Sequence, residues 1–188
     1  GPLQPDHYKV ADAIMACRTS LLGGHIDRCD HCNHERISYN SCRNRHCPKC
    51  QALLRAQWVE HRMCDLLPVH YFHVVFTIPG QLNAFALRNK KAFYTIFFQA
   101  ISETLQTFAH DEKYLGGEIA FFAILHTWGQ NLLDHPHVHC VIPGGALMGN
   151  GKWKHCPKNF LFPIKPLSAL FKGKLLDYLK KGILTGKN

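Results

Sequence analysis

The sequence predicts an α+β protein, in which a small N-terminal zinc-binding module precedes a domain with an antiparallel sheet and flanking helices. Six of the nine cysteines lie between positions 17 and 50, and four of these form two CxxC pairs, which is a metal-binding pattern. After Pro68, aromatic and β-branched runs are bounded by Pro-Gly or Gly-Gly pairs, as strands are. A Phe-rich stretch between two of these runs predicts a long apolar helix.

Helices are predicted at both ends of the N-terminal module. Residues 6–22 have helical spacing of apolar residues and end at a glycine pair, which is a helix stop signal. Residues 51–67 predict a second helix, which Pro68 ends because proline cannot continue it. After Pro68 the cysteine-rich composition gives way to aromatic and β-branched runs. We therefore predict the zinc module over residues 3–67 and a second domain over residues 68–188.

The second domain is predicted to alternate strands with helices. Residues 71–78 read as a buried strand and residues 83–110 as the long helix. Further strands are predicted at 118–127 and 137–143, a hairpin at 146–153, and a basic helix at 167–181.

The chain is strongly basic, and its charged residues are unevenly distributed along the sequence. The formal net charge is +9, from 22 basic and 13 acidic residues. Residues 36–59 contain five basic side chains and no acid, and from Lys152 onward nine lysines face one acid. This segregation favours an anionic partner, most commonly nucleic acid. No apolar run is long enough to predict a membrane span, and no signal peptide is recognisable.

The cysteine spacing predicts structural zinc. Two CxxC turns separated by 14 residues place thiolates for one tetrahedral site, made of Cys29, Cys32, Cys47 and Cys50. A second, interleaved site is possible at Cys17, His25, Cys42 and His46, with His31 and His34 as spare donors. The alternative is that Cys17 belongs to a core and His46 contacts a phosphate. The scattered Cys64, Cys140 and Cys156 are read as buried or incidental thiols.

Basic side chains lie between these ligands, on loops that a metal would hold rigid. Such loops suit contacts to DNA phosphates, which position a protein without reading sequence. The candidate DNA-binding residues are Arg43, Arg45, Lys49 and Arg55 in the module and Lys152 and Lys154 in the second domain.

A His-x-His pair lies in the last predicted strand. Side chains alternate along a strand, so His137 and His139 share one face while Val138 and Cys140 point into the core. Two imidazoles on one face are placed to share a divalent ion, Mg²⁺ or Mn²⁺, with a phosphate substrate. The alternative is two partly exposed histidines on a half-buried strand. His135 is excluded as a ligand because it is expected on the opposite face.

These motifs together resemble one family. The segments Cys17–Thr19, Leu22–His25, Cys29–Cys32 and Tyr39–Gln51 are similar to the zinc domain of rolling-circle HUH transposases of the insertion sequence 91 type, which include the common-region elements. Tyr71–Pro79 and His135–Gly145 resemble the start of the transposase domain that follows.

The resemblance implies a single-strand endonuclease and strand transferase. In that family a divalent cation held by the His pair, here His137 and His139, polarises a scissile phosphate, and a tyrosine attacks to form a 5′-phosphotyrosine. The expected partner is single-stranded or hairpin DNA at the ends of a mobile element. The expected location is the bacterial cytoplasm, in association with the nucleoid.

The nucleophile is not identified by these motifs. The family's tyrosines lie on a helix further downstream, so Tyr178 in the segment Tyr178–Lys181 is a weak candidate and reads better as a packing residue. Gly1 and Pro2 resemble a protease-cleavage scar, so we expect a fragment. Because the family's tyrosine helix, which often supplies the third metal ligand, lies further downstream, we expect this fragment to bind DNA without cutting it. The competing interpretations are a non-catalytic zinc-organised DNA-binding module and a zinc hydrolase, for which Glu118 is the nearest acid.

Overall fold

The chain folds into two compact units. The computed structural model describes residues 5–129 and 133–184. The boundary falls after Leu66 and separates unit 1, Gly1–Leu66, from unit 2, Leu67–Asn188. The predicted α+β class, with an antiparallel sheet and flanking helices, is confirmed.

Unit 1 consists of two helices joined through a hairpin. Helix α1 spans Pro5–Ala16, strands β1 and β2 span Gly24–Arg28 and Glu35–Tyr39, and helix α2 spans Pro48–Cys64. The first predicted helix was too long: α1 stops at Ala16, because Arg18 takes a left-handed backbone conformation (φ 58°). Helix α2 begins before the predicted start, since proline is compatible with the first helical turn.

Unit 1 has almost no buried interior. Among its described residues only Cys17 and Cys47 are buried. Apolar side chains that would form a core in a larger domain, such as Leu53, Trp58 and Met63, are at least half exposed. A unit of this size with so little apolar burial needs another source of stability, such as a metal ion.

Unit 2 is built on a three-stranded antiparallel sheet of order β3-β5-β4. The strands are Tyr71–Thr77 (β3), Phe122–Trp128 (β4) and Asp134–Pro143 (β5). The predicted hairpin is present as β6 and β7, which span Gly145–Leu147 and Trp153–His155.

Three helices complete unit 2. The predicted helix over 83–110 is two helices, α3 (Asn83–Arg88) and α4 (Lys90–His110), because Asn89 leaves helical geometry (φ −122°, ψ 41°). Helix α5 spans Ile164–Leu184 and is longer than predicted. No helix among the described residues is both long and apolar enough to span a membrane.

The core of unit 2 lies on one face of the sheet. Phe76 and Val138, which pair across β3 and β5, point into it. Helices α4 and α5 pack on this face, where Phe171 lies 4.9 Å from Phe76 and 5.9 Å from Phe97 between ring centroids. The side chains that alternate with these on β5 therefore project from the opposite face of the sheet.

Candidate metal centres

The first candidate centre is a group of four cysteines in unit 1: Cys17, Cys42, Cys47 and Cys50. Their sulfur atoms all lie within 4.8 Å of one another. The Sγ atom of Cys50 is 3.5 Å from that of Cys17 and 3.7 Å from that of Cys42. A tetrahedral zinc with Zn–S bonds of about 2.3 Å requires sulfur separations of about 3.8 Å. The two closest separations are near this value, so the arrangement of the four thiols fits a structural zinc.

The four sulfurs come from three separate segments of unit 1. Cys17 follows α1, Cys42 lies in the loop after β2, and Cys47 and Cys50 lie at the start of α2. Arg18, the residue after Cys17, is tied to the hairpin base because its backbone N–H donates to Asn40 O at 3.0 Å, and the base is closed by the N–H of Asn40, which donates to Gly23 O at 3.0 Å. The fold thus brings together residues distant in sequence.

The ionisation of the cluster is uneven. The backbone N–H of Cys50 is the main cause that lowers the pKa of the Cys47 thiol to about 7. At Cys42 the N–H of Asn44 favours the thiolate, but burial and the neighbouring thiols outweigh it and raise the pKa to about 12. Four thiolates this close together repel one another unless a cation lies between them.

Backbone strain marks the cysteine turns. The three non-glycine residues with positive φ among those described are Arg18, Asn33 and Arg43. Each directly follows a cysteine, namely Cys17, Cys32 or Cys42. Asparagine tolerates this conformation, whereas arginine does so at a cost. The turns are therefore held by the surrounding structure rather than by local preference.

The structure groups the cysteines differently from the spacing argument. Cys29 and Cys32 lie at the tip of the β1–β2 hairpin, where Cys29 N donates to His34 O at 2.9 Å. Strands of five residues, at about 3.3 Å per residue, place this tip more than about 13 Å from the hairpin base. For that reason the tip pair does not reach Cys47 and Cys50, and Cys17 and Cys42 take their place.

The tip pair retains features of a metal-binding turn. Backbone N–H groups of Cys32 and then His31 lower the pKa of the Cys29 thiol. Zinc binding by Cys29 and Cys32 stays a prediction.

The predicted histidine ligands of the second zinc do not join the four cysteines. His25 Nε2 lies 3.6 Å from Asp27 Oδ1 on the hairpin, and His46 Nε2 accepts a 3.2 Å hydrogen bond from Arg45 Nε.

The second candidate centre is a group of three histidines in unit 2: His126, His137 and His139. Their ligand atoms all lie within 4.8 Å of one another. His126 on β4 pairs directly with His137 on β5, and its ring centroid is 4.4 Å from that of His139. Sequence reasoning missed His126 because a cross-strand partner depends on register. The sequence feature that could have indicated His126 was its position within the predicted strand 118–127.

His135 was predicted not to be a metal ligand because it was expected on the opposite face of the strand, and that reason is wrong. His135 has the same parity along β5 as His137, and their ring centroids are 5.4 Å apart, so both lie on one face. Its side chain is not among the three grouped donors. Its carbonyl oxygen instead lies 2.7 Å from Nδ1 of His137.

Hydrogen bonds orient the two histidines of β5. The contact with the His135 carbonyl makes Nδ1 of His137 a donor and leaves its Nε2 free to bind a metal. Nδ1 of His139 lies 2.7 Å from Nε2 of His73. Nε2 of His139 is buried and has no hydrogen-bond partner among the described residues. An orphaned buried nitrogen beside two other imidazoles is typical of a metal ligand.

The protonation state of His139 suits ligation. Burial is the main cause that lowers its pKa, and the charges of His126, His137 and His73 lower it further. The neutral imidazole is the form that binds metals.

A basic concavity lies on unit 1. It has a volume of about 690 Å³ and is lined in part by Arg18, Arg36, Arg43 and Tyr39. Of the residues predicted to bind DNA, only Arg43 lines it. Lys49 Nζ instead donates to Cys17 O at 3.3 Å, and Arg55 lines a separate groove of α2 with Val59.

The two remaining predicted DNA-binding residues belong to unit 2. Lys152 lies in the turn before β7, where its backbone N–H donates to Asn150 Oδ1 at 3.0 Å, and Lys154 lies within β7.

Tyr178 is poorly suited to act as a nucleophile. Its hydroxyl donates a hydrogen bond to Glu103 of α4, which is the main cause that raises its pKa to about 12. Helix α5 also packs on the face of the sheet opposite the histidines. The geometry agrees with a packing role.

Comparisons with known proteins match two different families to two segments of this chain. Residues 1–78 match the family described as "Transposase zinc-binding domain", and residues 120–188 match the family described as "Putative transposase". The chain is 53% identical over 180 residues to "Putative transposase y4qJ" of Sinorhizobium fredii, covering 95% of this chain and 45% of that protein. It is 29% identical over 181 residues to the "Transposase for insertion sequence element IS801" of Pseudomonas savastanoi pv. phaseolicola, covering 95% and 42%.

The chain spans less than half the length of these relatives. Among solved structures, the conjugative relaxase TrwC in complex with oriT DNA superposes with a TM-score of 0.48 at 16% identity, over 58% of this chain and 42% of that chain. A likeness of this size carries no conclusion about function. The zinc-domain match, the transposase-domain match and the two named relatives confirm the resemblance of this chain to transposases of the insertion sequence 91 type.

Proposed function

We propose that this chain is part of a rolling-circle transposase that cleaves and rejoins single-stranded DNA through a tyrosine-phosphodiester intermediate. The observation that carries the proposal is the cluster of His126, His137 and His139, with the buried Nε2 of His139 lacking a hydrogen-bond partner among the described residues. The cluster lies on the sheet face that helices α4 and α5 leave uncovered.

The cluster is proposed to hold one divalent ion, Mn²⁺ or Mg²⁺. Three imidazole donors favour Mn²⁺, because Mg²⁺ prefers oxygen ligands. The bound ion would polarise the scissile phosphate and so ease attack on phosphorus. The contribution of the chain is to hold three imidazoles at fixed positions on two paired strands.

The surface beside the cluster suits unpaired bases. Trp128 at the end of β4 is 55% exposed, and its ring lies parallel to that of His126 (7° between planes, centroids 5.6 Å apart). Val75 and Ile124 flank His139 across the sheet and are also exposed. Exposed aromatic rings stack on bases in single-stranded nucleic acid, so Trp128 is proposed to receive a base next to the scissile phosphate.

Unit 1 is proposed to be a zinc-organised DNA anchor. Zinc bound by the four cysteines would fix the loops carrying Arg18 and Arg43, which line the basic concavity with Arg36. Three guanidinium groups around one concavity suit phosphate oxygens. The predicted contacts of Arg45, Lys49, Arg55, Lys152 and Lys154 with DNA remain part of the proposal as contributions to the overall basic charge.

Metal titration is the direct test of the proposed function. Mn²⁺ binding to the zinc-loaded protein would be followed by isothermal titration calorimetry or electron paramagnetic resonance. We expect one Mn²⁺ per chain, lost in His126→Ala and retained in the control His110→Ala, which changes an exposed histidine at the end of α4. Equal Mn²⁺ binding by His126→Ala and the wild type would contradict the proposal.

DNA competition separates this proposal from the alternative of a non-catalytic zinc module, which the basic concavity also supports. The protein would be offered a single-stranded hairpin and a matched duplex at two salt concentrations. Preference for the hairpin supports rolling-circle processing. Equal or duplex-favouring binding with no response to Mn²⁺ supports a general DNA anchor.

A zinc hydrolase has less support, because the histidine cluster includes no carboxylate among the described residues, and the backbone of Glu118 pairs with Leu147.

A further inference from the structure

His73 lies beside the histidine cluster but is not one of the three grouped donors. It is on β3, and its ring lies nearly parallel to that of His139, with centroids 4.9 Å apart and 10° between planes. Its Nε2 atom is 2.7 Å from Nδ1 of His139. The two rings therefore meet edge to edge in nearly one plane and are joined by a hydrogen bond between these nitrogens.

The direction of this hydrogen bond decides whether His139 is able to bind a metal. A neutral imidazole carries one hydrogen on its two nitrogens, and only the nitrogen without hydrogen is a ligand. If Nδ1 of His139 donates to His73, then Nε2 of His139 has a free lone pair. If His73 donates instead, Nε2 of His139 carries the hydrogen and is unable to ligate.

His137 shows how the neighbouring ligand is controlled. The oxygen next to its Nδ1 belongs to the carbonyl of His135, and a carbonyl only accepts, so the tautomer of His137 is fixed. The partner of His139 is another imidazole, which either donates or accepts. The tautomer of His139 therefore depends on the tautomer of His73.

We propose that His73 is a positioning residue that accepts a hydrogen bond from Nδ1–H of His139 and so keeps Nε2 of His139 available to the metal. This inference rests on the proposed function, because it assumes that the three histidines bind a divalent ion. His73 itself holds its own hydrogen on Nδ1 and touches neither metal nor substrate. Removal of such outer partners typically weakens metal binding by about 10- to 100-fold.

Two variants separate hydrogen bonding from the presence of an aromatic ring at this position. His73→Phe keeps an aromatic ring but removes the acceptor, whereas His73→Gln keeps an acceptor at a similar reach. The first measurement is ¹⁵N NMR of the histidine rings in protein without Mn²⁺ at a pH where they are neutral. We expect the Nδ1–H tautomer at His139 in the wild type and in His73→Gln, and a shift toward Nε2–H in His73→Phe.

The second measurement is Mn²⁺ affinity. We expect His73→Phe to bind about tenfold or more weakly, His73→Gln to stay close to the wild type, and the control His110→Phe to be unchanged. An Nε2–H tautomer at His139 in the wild type, or unchanged tautomer and affinity in His73→Phe, overturns the inference. If the wild type binds no Mn²⁺, the proposed function fails, and the tautomer measurement still decides the role of His73.

Discussion

Replacing Cys17 with serine distinguishes the cysteine grouping seen in the structure from the grouping that spacing suggested. The Cys17 sulfur is 3.5 Å from that of Cys50, and the residue is fully buried. Cys29 lies at the exposed tip of the hairpin. We therefore expect Cys17→Ser to lose the zinc of the four-cysteine site, and Cys29→Ser to retain it.

The expected effect of zinc loss on folding follows from the near absence of buried residues in the described part of unit 1. Only two residues, both proposed zinc ligands, are buried among those described between positions 5 and 66. Structural zinc contributes about 10–16 kcal/mol of apparent folding free energy in zinc-finger peptides at neutral pH. Because apolar burial does not replace that contribution here, loss of the site is expected to unfold unit 1 rather than loosen it.

Zinc content by atomic emission and a ¹H–¹⁵N NMR spectrum give the readout. Cys17→Ser should contain about one zinc equivalent less than the wild type, and the resonances of unit 1 should collapse while those of unit 2 remain dispersed. Cys64→Ser, at an exposed cysteine outside the cluster, is the matched control. If Cys29→Ser unfolds unit 1 and Cys17→Ser leaves it folded, the four-cysteine grouping is wrong.

Three further predictions concern stacking, the basic concavity and unit 2. Trp128→Ala should weaken binding of a single-stranded oligonucleotide by roughly tenfold, since base stacking contributes about 1–3 kcal/mol per base, with little change for duplex; fluorescence anisotropy measures both. Arg18→Gln combined with Arg43→Gln should lower DNA affinity and reduce the slope of log affinity against log salt by about 2, as counterion release requires. Glu103 has its pKa lowered to about 2, mainly by the hydroxyl of Tyr178, so its stabilising contribution is complete above about pH 4.5 and is lost as pH falls toward 2. Glu103→Gln should therefore lower the stability of the α4–α5 pair at pH 7 by about 1 kcal/mol or less, because the Glu103 side chain is 39% exposed. Hydrogen exchange measures this stability, and the difference between variant and wild type should disappear near pH 2.

Each of these predictions has an outcome that contradicts it. Equal loss of duplex and single-strand binding in Trp128→Ala would indicate a general structural defect. An unchanged salt slope in the double arginine variant would exclude phosphate contacts at the concavity. A stability difference for Glu103→Gln that persists at pH 2 would show that its effect is not carried by the carboxylate charge.

Local patterns in the sequence were sufficient for most of the elements and for two members of the histidine cluster. Alternation along β5 placed His137 and His139 on one face, because a strand has a period of two residues and needs no tertiary information. The chain-breaking glycines and prolines indicated the limits of most strands. The predicted helix over 83–110 failed at Asn89, which leaves helical geometry and whose side-chain amide donates to Phe85 O at 3.1 Å, because asparagine competes with the helix for backbone hydrogen bonds.

Contacts between distant segments were decided only by the tertiary structure. CxxC spacing shows that two thiols share a turn, but it does not show which turns meet. The length of the β1–β2 hairpin carries Cys29 and Cys32 away from its base and leaves Cys17 and Cys42 to complete the site with Cys47 and Cys50. In the same way, the register between β4 and β5 sets His126 opposite His137. A shift of one residue would turn it to the other face of the sheet, so its place in the cluster depends on strand pairing and not on any local motif.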